Sequence, residues 1–188
     1  MTASTSVQIP GYVVGTWDID ATHSTVGFSV RHMMVSKVRG YFRDFTGEIV
    51  TAEDPTQSIV TANIDLGSID TRQEQRDAHI RSADFFDVEN HPHMTFRSTA
   101  VRVVDGADWF IDGELTVKGN TRPVTLELEL NGFGPDAYGG TRAGFSAKTE
   151  ISRSAFGVDI QMPMDGGGVV VGDKVTVELE IEAVLRKA

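Results

Sequence analysis

The chain contains no cysteine, which excludes a disulfide framework, a thiolate metal centre and a cysteine nucleophile. Proline is scarce, with six residues, and no Gly-X-Y period or low-complexity tract is present, so collagen-like and disordered classes are excluded. No apolar run approaches the roughly 18 residues a membrane-spanning helix needs. The opening MTASTSVQIPGYVVGTW has neither the basic start nor the continuous apolar stretch of a secretory signal. The expectation is therefore a cytoplasmic protein whose residues 1–10 form a loose arm. Basic residues are in deficit, 17 against 27 acidic ones, for a net charge of -10. Such a surface repels nucleic acid and is a poor overall match to acidic lipid headgroups. What is present is 40% hydrophobic residues over 188 positions, enough for one domain, residues 11–188, with a sizeable core.

The dominant pattern is period-two alternation. VTLELEL puts Val124, Leu126, Leu128 and Leu130 on one face and Thr125, Glu127 and Glu129 on the other. VTVELEIEA repeats this with Val175, Val177, Leu179, Ile181 and Ala183 against Glu178, Glu180 and Glu182. Trp109, Ile111, Gly113, Leu115 and Val117 share a face, as do Val26, Phe28, Val30 and His32, and Val60, Ala62, Ile64 and Leu66. One wet and one dry face per strand is the antiparallel signature. Turn signals at 105–108, 118–123 and 134–140 separate about eight strands, the spacing of a meandering all-β fold. The glycine-rich stretch at 165–173 reads as a loop before the last strand. Small residues at inward positions, Gly40, Ala62, Gly113, Ala143 and Ala147, fit either a hollow barrel or a tapered solid one.

One stretch departs from the pattern: IDTRQEQRDAHIRSADFFDVENHPHMTF, residues 69–96, which is polar and holds three of the five histidines. Thr71 followed by Glu74 has the spacing of a capping box and predicts a short helix over 72–81, with Asp77 positioned to pair with Arg81. Its apolar content is little more than Ala78 and Ile80, so it should cover a barrel end. His79, His91 and His93 supply the ligand number of a catalytic zinc site, which would make the chain a metal-dependent hydrolase. The helical H-E-x-x-H pairing is absent, however, and no nucleophile elbow or phosphate-binding glycine loop occurs. A solid-core interaction module is the other alternative.

Five segments, WDIDATHSTVGFSVRHMMVSKVRGYFRDFTGEI, SIDTRQEQRDAHIRSADFFDV, HPHMTFRSTAV, GELTVKGNTRPVTLEL and ISRSAFGVD, together resemble the YceI-like polyisoprenoid-binding family from about Trp17 to the C-terminus. The resemblance implies an extended, lipocalin-like, eight-stranded antiparallel β-barrel. Its tunnel would hold an isoprenoid lipid, either a polyprenyl lipid or an isoprenoid quinone. It implies non-enzymatic binding, storage or transport with no cofactor and no catalytic residue, and it is compatible with a homodimer. The tunnel lining that the resemblance, read with the inward pattern, implies is Phe28, Val30, His32, Phe42, Ile64, Phe86, Phe96, Ile111, Leu115, Leu126, Leu128, Phe145, Phe156 and Leu179. Arg76, Asp77, His79 and Arg81 fall in the family's helical block, as head-group contacts or as fastenings of a lid. Asp84 and Phe85 belong to the same block, His23 and His32 to the first, and Arg153, Phe156 and Gly157 to the last. His91 and His93 depart from the family pattern, which weakens the metal reading.

Overall fold

The computed structural model describes residues 7–160 and 170–188. Its elements are β1 (Gly15–Ile19), β2 (Thr25–His32), β3 (Ser36–Phe42), β4 (Phe45–Thr51), β5 (Ile59–Asp65), β6 (Ile69–Asp70), α1 (Glu74–Arg81), β7 (His93–Val104), β8 (Asp108–Val117), β9 (Asn120–Pro135), β10 (Thr141–Ser152) and β11 (Val171–Leu185). They form one antiparallel sheet in the order β1-β4-β5-β7-β8-β9-β10-β11-β2-β3-β6. Pairing of Trp17 with Leu185 and of Ile19 with Ala183 joins β1 to β11. The sheet therefore closes into an eight-stranded barrel, as expected.

The eleven strand segments make eight barrel strands because three long strands are broken, between β1 and β2, β3 and β4, and β5 and β6. Asp20 accepts a bond from Thr22 N at 3.0 Å and turns the chain through a 3₁₀ turn between β1 and β2. Between β3 and β4 the chain bends at Arg43 and Asp44, where Ser68 donates and accepts bonds to Asp44 backbone groups. Across each break the strand keeps its neighbours: β1 pairs with β4 and β2 with β3, while both lie beside β11. β11 bridges both halves, pairing with β2 over Val171–Glu180 and with β1 near its C-terminus.

Trp17, Ile49, Ala143 and Ala183 pack with Phe133 and Phe145 at the β1–β4 side. There the Trp17 indole donates to Thr51 Oγ1 at 2.9 Å, which satisfies its polar atom inside an apolar cluster. Phe42, Ile64, Leu66 and Ile69 form a second cluster, joined by Ile80 and Phe86 from the segment between β6 and β7. Phe85, Phe96, Val117, Val124, Phe156 and Val158 belong to a third.

Two expectations change here. Val7 and Ile9 are half-buried and pack against the third cluster, so the described part of the N-terminal arm is fastened rather than loose. Of the glycine-rich stretch, residues 165–169 lie outside the described residues, while Val171–Asp173 already belong to β11.

Candidate binding cavity

Inside the closed sheet lies a cavity of about 430 Å³. Its wall contains the fourteen residues named above, from Phe28 and Val30 through to Phe156 and Leu179, together with Val26, Ile49, Val60, Leu130, Val177 and Ile181. Many of these inward side chains, including Phe28, Val30, Leu128 and Leu179, are only half-buried. They point away from bulk solvent, so the remaining accessible surface faces the cavity itself.

The small inward residues do not create this space in the way their size suggests. A Cβ at Gly40 would lie 2.6 Å from Phe28 Cζ, and one at Gly113 would lie 2.4 Å from Phe96 Cζ. Those two glycines accommodate aromatic rings folded flat on the wall, and Ala143 is taken up beneath Trp17. Ala62 and Ala147 alone of the five border open volume.

Polar side chains meet the cavity at a few places. On the α1 side stand Thr71, Arg76 and His79. The helix begins at Glu74 rather than 72, and its N-cap is Gln73, whose side chain accepts from Arg76 N. Thr71 is not the cap. It is buried, and both its N–H (2.9 Å) and its hydroxyl donate to Asp77, itself 4% exposed. The expected Asp77–Arg81 pair is therefore absent: Asp77 turns inward to Thr71, and Arg81 reaches outward to Glu74 at 2.9 Å. Arg76 completes the fastening, with Nε donating to Thr71 Oγ1 at 2.8 Å and Nη2 to Thr71 O at 2.6 Å. Asp77 and Arg81 thus hold the helix, whereas Arg76 and His79 reach the cavity wall. His79 also sits 3.0 Å from Asp84 and edge-on to Phe85.

Arg153 marks a second polar place, one to which the inward pattern assigned no role. Half-buried on the cavity wall, it donates to four backbone carbonyls: Val158 and Ile160 on one side, Val171 and Gly172 on the other. It ties the turn after β10 to the start of β11. Gly157 ends that turn at φ +78, a left-handed conformation that glycine adopts without strain. The signal was the arginine in ISRSAFGVD, where a strand ends and no acidic partner is adjacent. His32 also lies on the wall, at the end of β2.

The three histidines of the hydrolase reading do not converge. His79 bonds Asp84, His91 lies beside Gly119, and His93 is exposed at the start of β7. Among the described residues the metal-ligand atoms that approach one another belong to Asp20, His23 and Glu182. There Arg142 Nη1 already lies 2.9 Å from Asp20 and 3.1 Å from Glu182, so a guanidinium holds the cation's place. Bonds from Thr22, Arg142 and His23 hold the Asp20 carboxyl well below the ordinary carboxylate range.

Residues 17–183 match the model of the YceI-like domain. Protein YceI of an Escherichia coli strain is 42% identical over 142 residues, covering 75% of this chain and 74% of that one. The crystal structure of a Campylobacter jejuni YceI protein superposes with a TM-score of 0.72 at 25% identity, covering 84% of this chain and 90% of that chain. Two more distant structures share the fold. Burkholderia cenocepacia BcnA has a TM-score of 0.75 at 24% identity, covering 87% of this chain and 98% of its own. A polyisoprenoid-binding domain from Saccharophagus degradans has 0.68 at 15%, covering 93% and 100%. Closed barrel, fastened helical block and matched sequence together establish that this chain belongs to the YceI-like family.

Proposed function

We propose that the barrel binds an isoprenoid lipid, a polyprenyl lipid or an isoprenoid quinone, in its interior cavity, and stores or carries it without catalysing a reaction. The observation that carries this reading is the unfilled, aliphatic and aromatic cavity wall. An isoprenoid tail is apolar along its length, so burial alone drives its transfer from water, at roughly 25 cal/mol per Å². It needs a dry wall and few directional contacts, and polar side chains confined to a few places meet that need. A relative of the same fold described as polyisoprenoid-binding points the same way. Arg76 and His79 are the groups available to a quinone carbonyl or a pyrophosphate, Arg76 by a charge-assisted bond.

Organic extracts of protein purified with no added lipid, analysed by mass spectrometry, test the proposal. A prenyl chain in near-stoichiometric amount is expected, and extracts holding no lipid, or straight acyl chains alone, refute it. Arg76→Gln separates head-group binding from fastening: if lipid content per folded molecule is unchanged, Arg76 is only a fastening.

A further inference from the structure

The hairpin joining β2 to β3 breaks three local rules at once. Its turn exposes Met33, Met34 and Val35 at 44%, 53% and 85% of their surface. Met33 and Met34 both adopt left-handed backbone, at φ +51 and +63, where asparagine or glycine is the favoured occupant. Behind the turn, Arg31 stands directly opposite Lys37 across the two strands, and Arg39 follows on the same outward face. Like charges in register repel. Elsewhere on the barrel, Arg97 faces Glu114 and Lys148 faces Glu127 with opposite signs, and the like-signed pair Asp18 and Glu48 is bridged by Arg186.

The surrounding sequence deepens the anomaly. Between Asp20 and Asp44 the chain has no acidic residue but holds Arg31, Lys37, Arg39 and Arg43. Arg43 pairs with Asp70, whereas among the described residues Arg31, Lys37 and Arg39 pair with no carboxylate. A chain of net charge -10 thus concentrates unpaired positive charge behind an apolar tip. The tip also stands at the cavity: Met33 N donates to Val170 O at 2.8 Å, and His32, Val38, Val170 and Val171 belong to the cavity wall.

We propose that this hairpin docks the barrel on an anionic phospholipid bilayer, Met33, Met34 and Val35 entering the interface while Arg31, Lys37 and Arg39 meet the headgroups. An apolar tip flanked by bases is complementary to a surface that is negative outside and apolar beneath. An acidic protein partner would satisfy the charges but leave the methionine tip in water. Docking sets the cavity wall against the layer in which apolar ligands reside. It does not depend on which lipid the cavity holds, so it is tested separately.

The experiment is co-sedimentation with phosphatidylcholine vesicles prepared with and without phosphatidylglycerol. Wild type is expected to pellet with the anionic vesicles alone, and to be released by added salt. Each basic side chain near such a surface is worth roughly fivefold in partitioning, so Arg31→Gln, Lys37→Gln and Arg39→Gln together lower binding about 100-fold. Met33→Asn with Met34→Gly also lowers it, while relieving the turn. Both variants remove an unfavourable local feature, so their thermal unfolding should match or exceed wild type. Lys148→Gln, on another wall, leaves binding unchanged. No binding by wild type, equal binding to neutral vesicles, or undiminished binding by either hairpin variant overturns the proposal.

Discussion

Filling the cavity from its own wall distinguishes a hollow barrel from a packed one. Ala147 faces the 430 Å³ space from β10, between Leu128 and Leu179 on neighbouring strands. Ala147→Phe therefore places a ring in open volume, and stability should change by less than about 1 kcal/mol, where a packed core would lose roughly 1–3 kcal/mol. Gly113→Ala is the matched control. Its added methyl would meet Phe96 Cζ at 2.4 Å and Arg97 O at 2.7 Å, and a backbone oxygen cannot move aside cheaply. That smaller change should cost roughly 1–3 kcal/mol, or a melting temperature lower by about 2–12 °C for a chain of this size. The ligand responds in the opposite order. A phenyl group that displaces one five-carbon prenyl unit removes about 4 kcal/mol of burial, on the order of 1000-fold in affinity. Thermal unfolding of delipidated protein and mass spectrometry of extracts read the two effects independently. If Ala147→Phe destabilises as much as Gly113→Ala and leaves lipid content unchanged, the interior is packed and the reasoning fails.

Asp77→Ala strands the buried N–H and hydroxyl of Thr71 and should cost about 3 kcal/mol in urea unfolding; a loss under 1 kcal/mol would mean the knot is decorative. Asp20, bonded by Thr22, Arg142 and His23, has its pKa depressed in the folded state, so its stabilisation is complete above the unfolded value near about pH 4 and is lost as pH falls below it. Asp20→Asn should therefore lower stability at neutral pH and flatten the acid limb of the stability profile, and parallel profiles for variant and wild type would contradict the assignment. Arg153→Leu removes four bonds to carbonyls and should cost roughly 3 kcal/mol. Hydrogen exchange should accelerate first in amides at the start of β11; uniform acceleration would show that Arg153 fastens nothing local.

Much of the barrel was legible because alternation and burial are the same constraint on an antiparallel strand. Glu127 and Glu129, or Glu178 and Glu180, cannot face the interior, and that fixes Leu126, Leu128 and Leu179 on the wall. What alternation could not reveal is where one strand is interrupted: the Asp20 turn separates β1 from β2, yet both pair with β11. The helix start was misread for a related reason. Thr71 and Glu74 have capping-box spacing, but the positive φ of Arg72 turns Thr71 into the core, and Gln73 takes over the cap. Asp77 likewise lies at the right spacing for Arg81, but it takes the backbone N–H and hydroxyl of the buried Thr71, and Arg81 turns to Glu74. Net charge concealed most: a total of -10 says nothing of a hairpin from which every carboxylate is missing.

The polar knots and the hollow interior belong to one design. An apolar void costs on the order of 24 cal/mol per Å³, so a cavity of about 430 Å³ left unfilled would forfeit on the order of 10 kcal/mol. A domain's entire net stability is about 5–15 kcal/mol, so the wall cannot be held open by packing across it. It must be held from around it: by ring closure through β1 and β11, by Thr71, Asp77 and Arg76 on the helical side, and by Arg153 across the ends of β10 and β11. Each of these fastenings bonds backbone or buried polar groups at the cavity's margin and leaves the middle of the wall to aliphatic and aromatic side chains. Under the proposed function, a scaffold built this way is expected to fold before a ligand completes the core and to release it without unfolding.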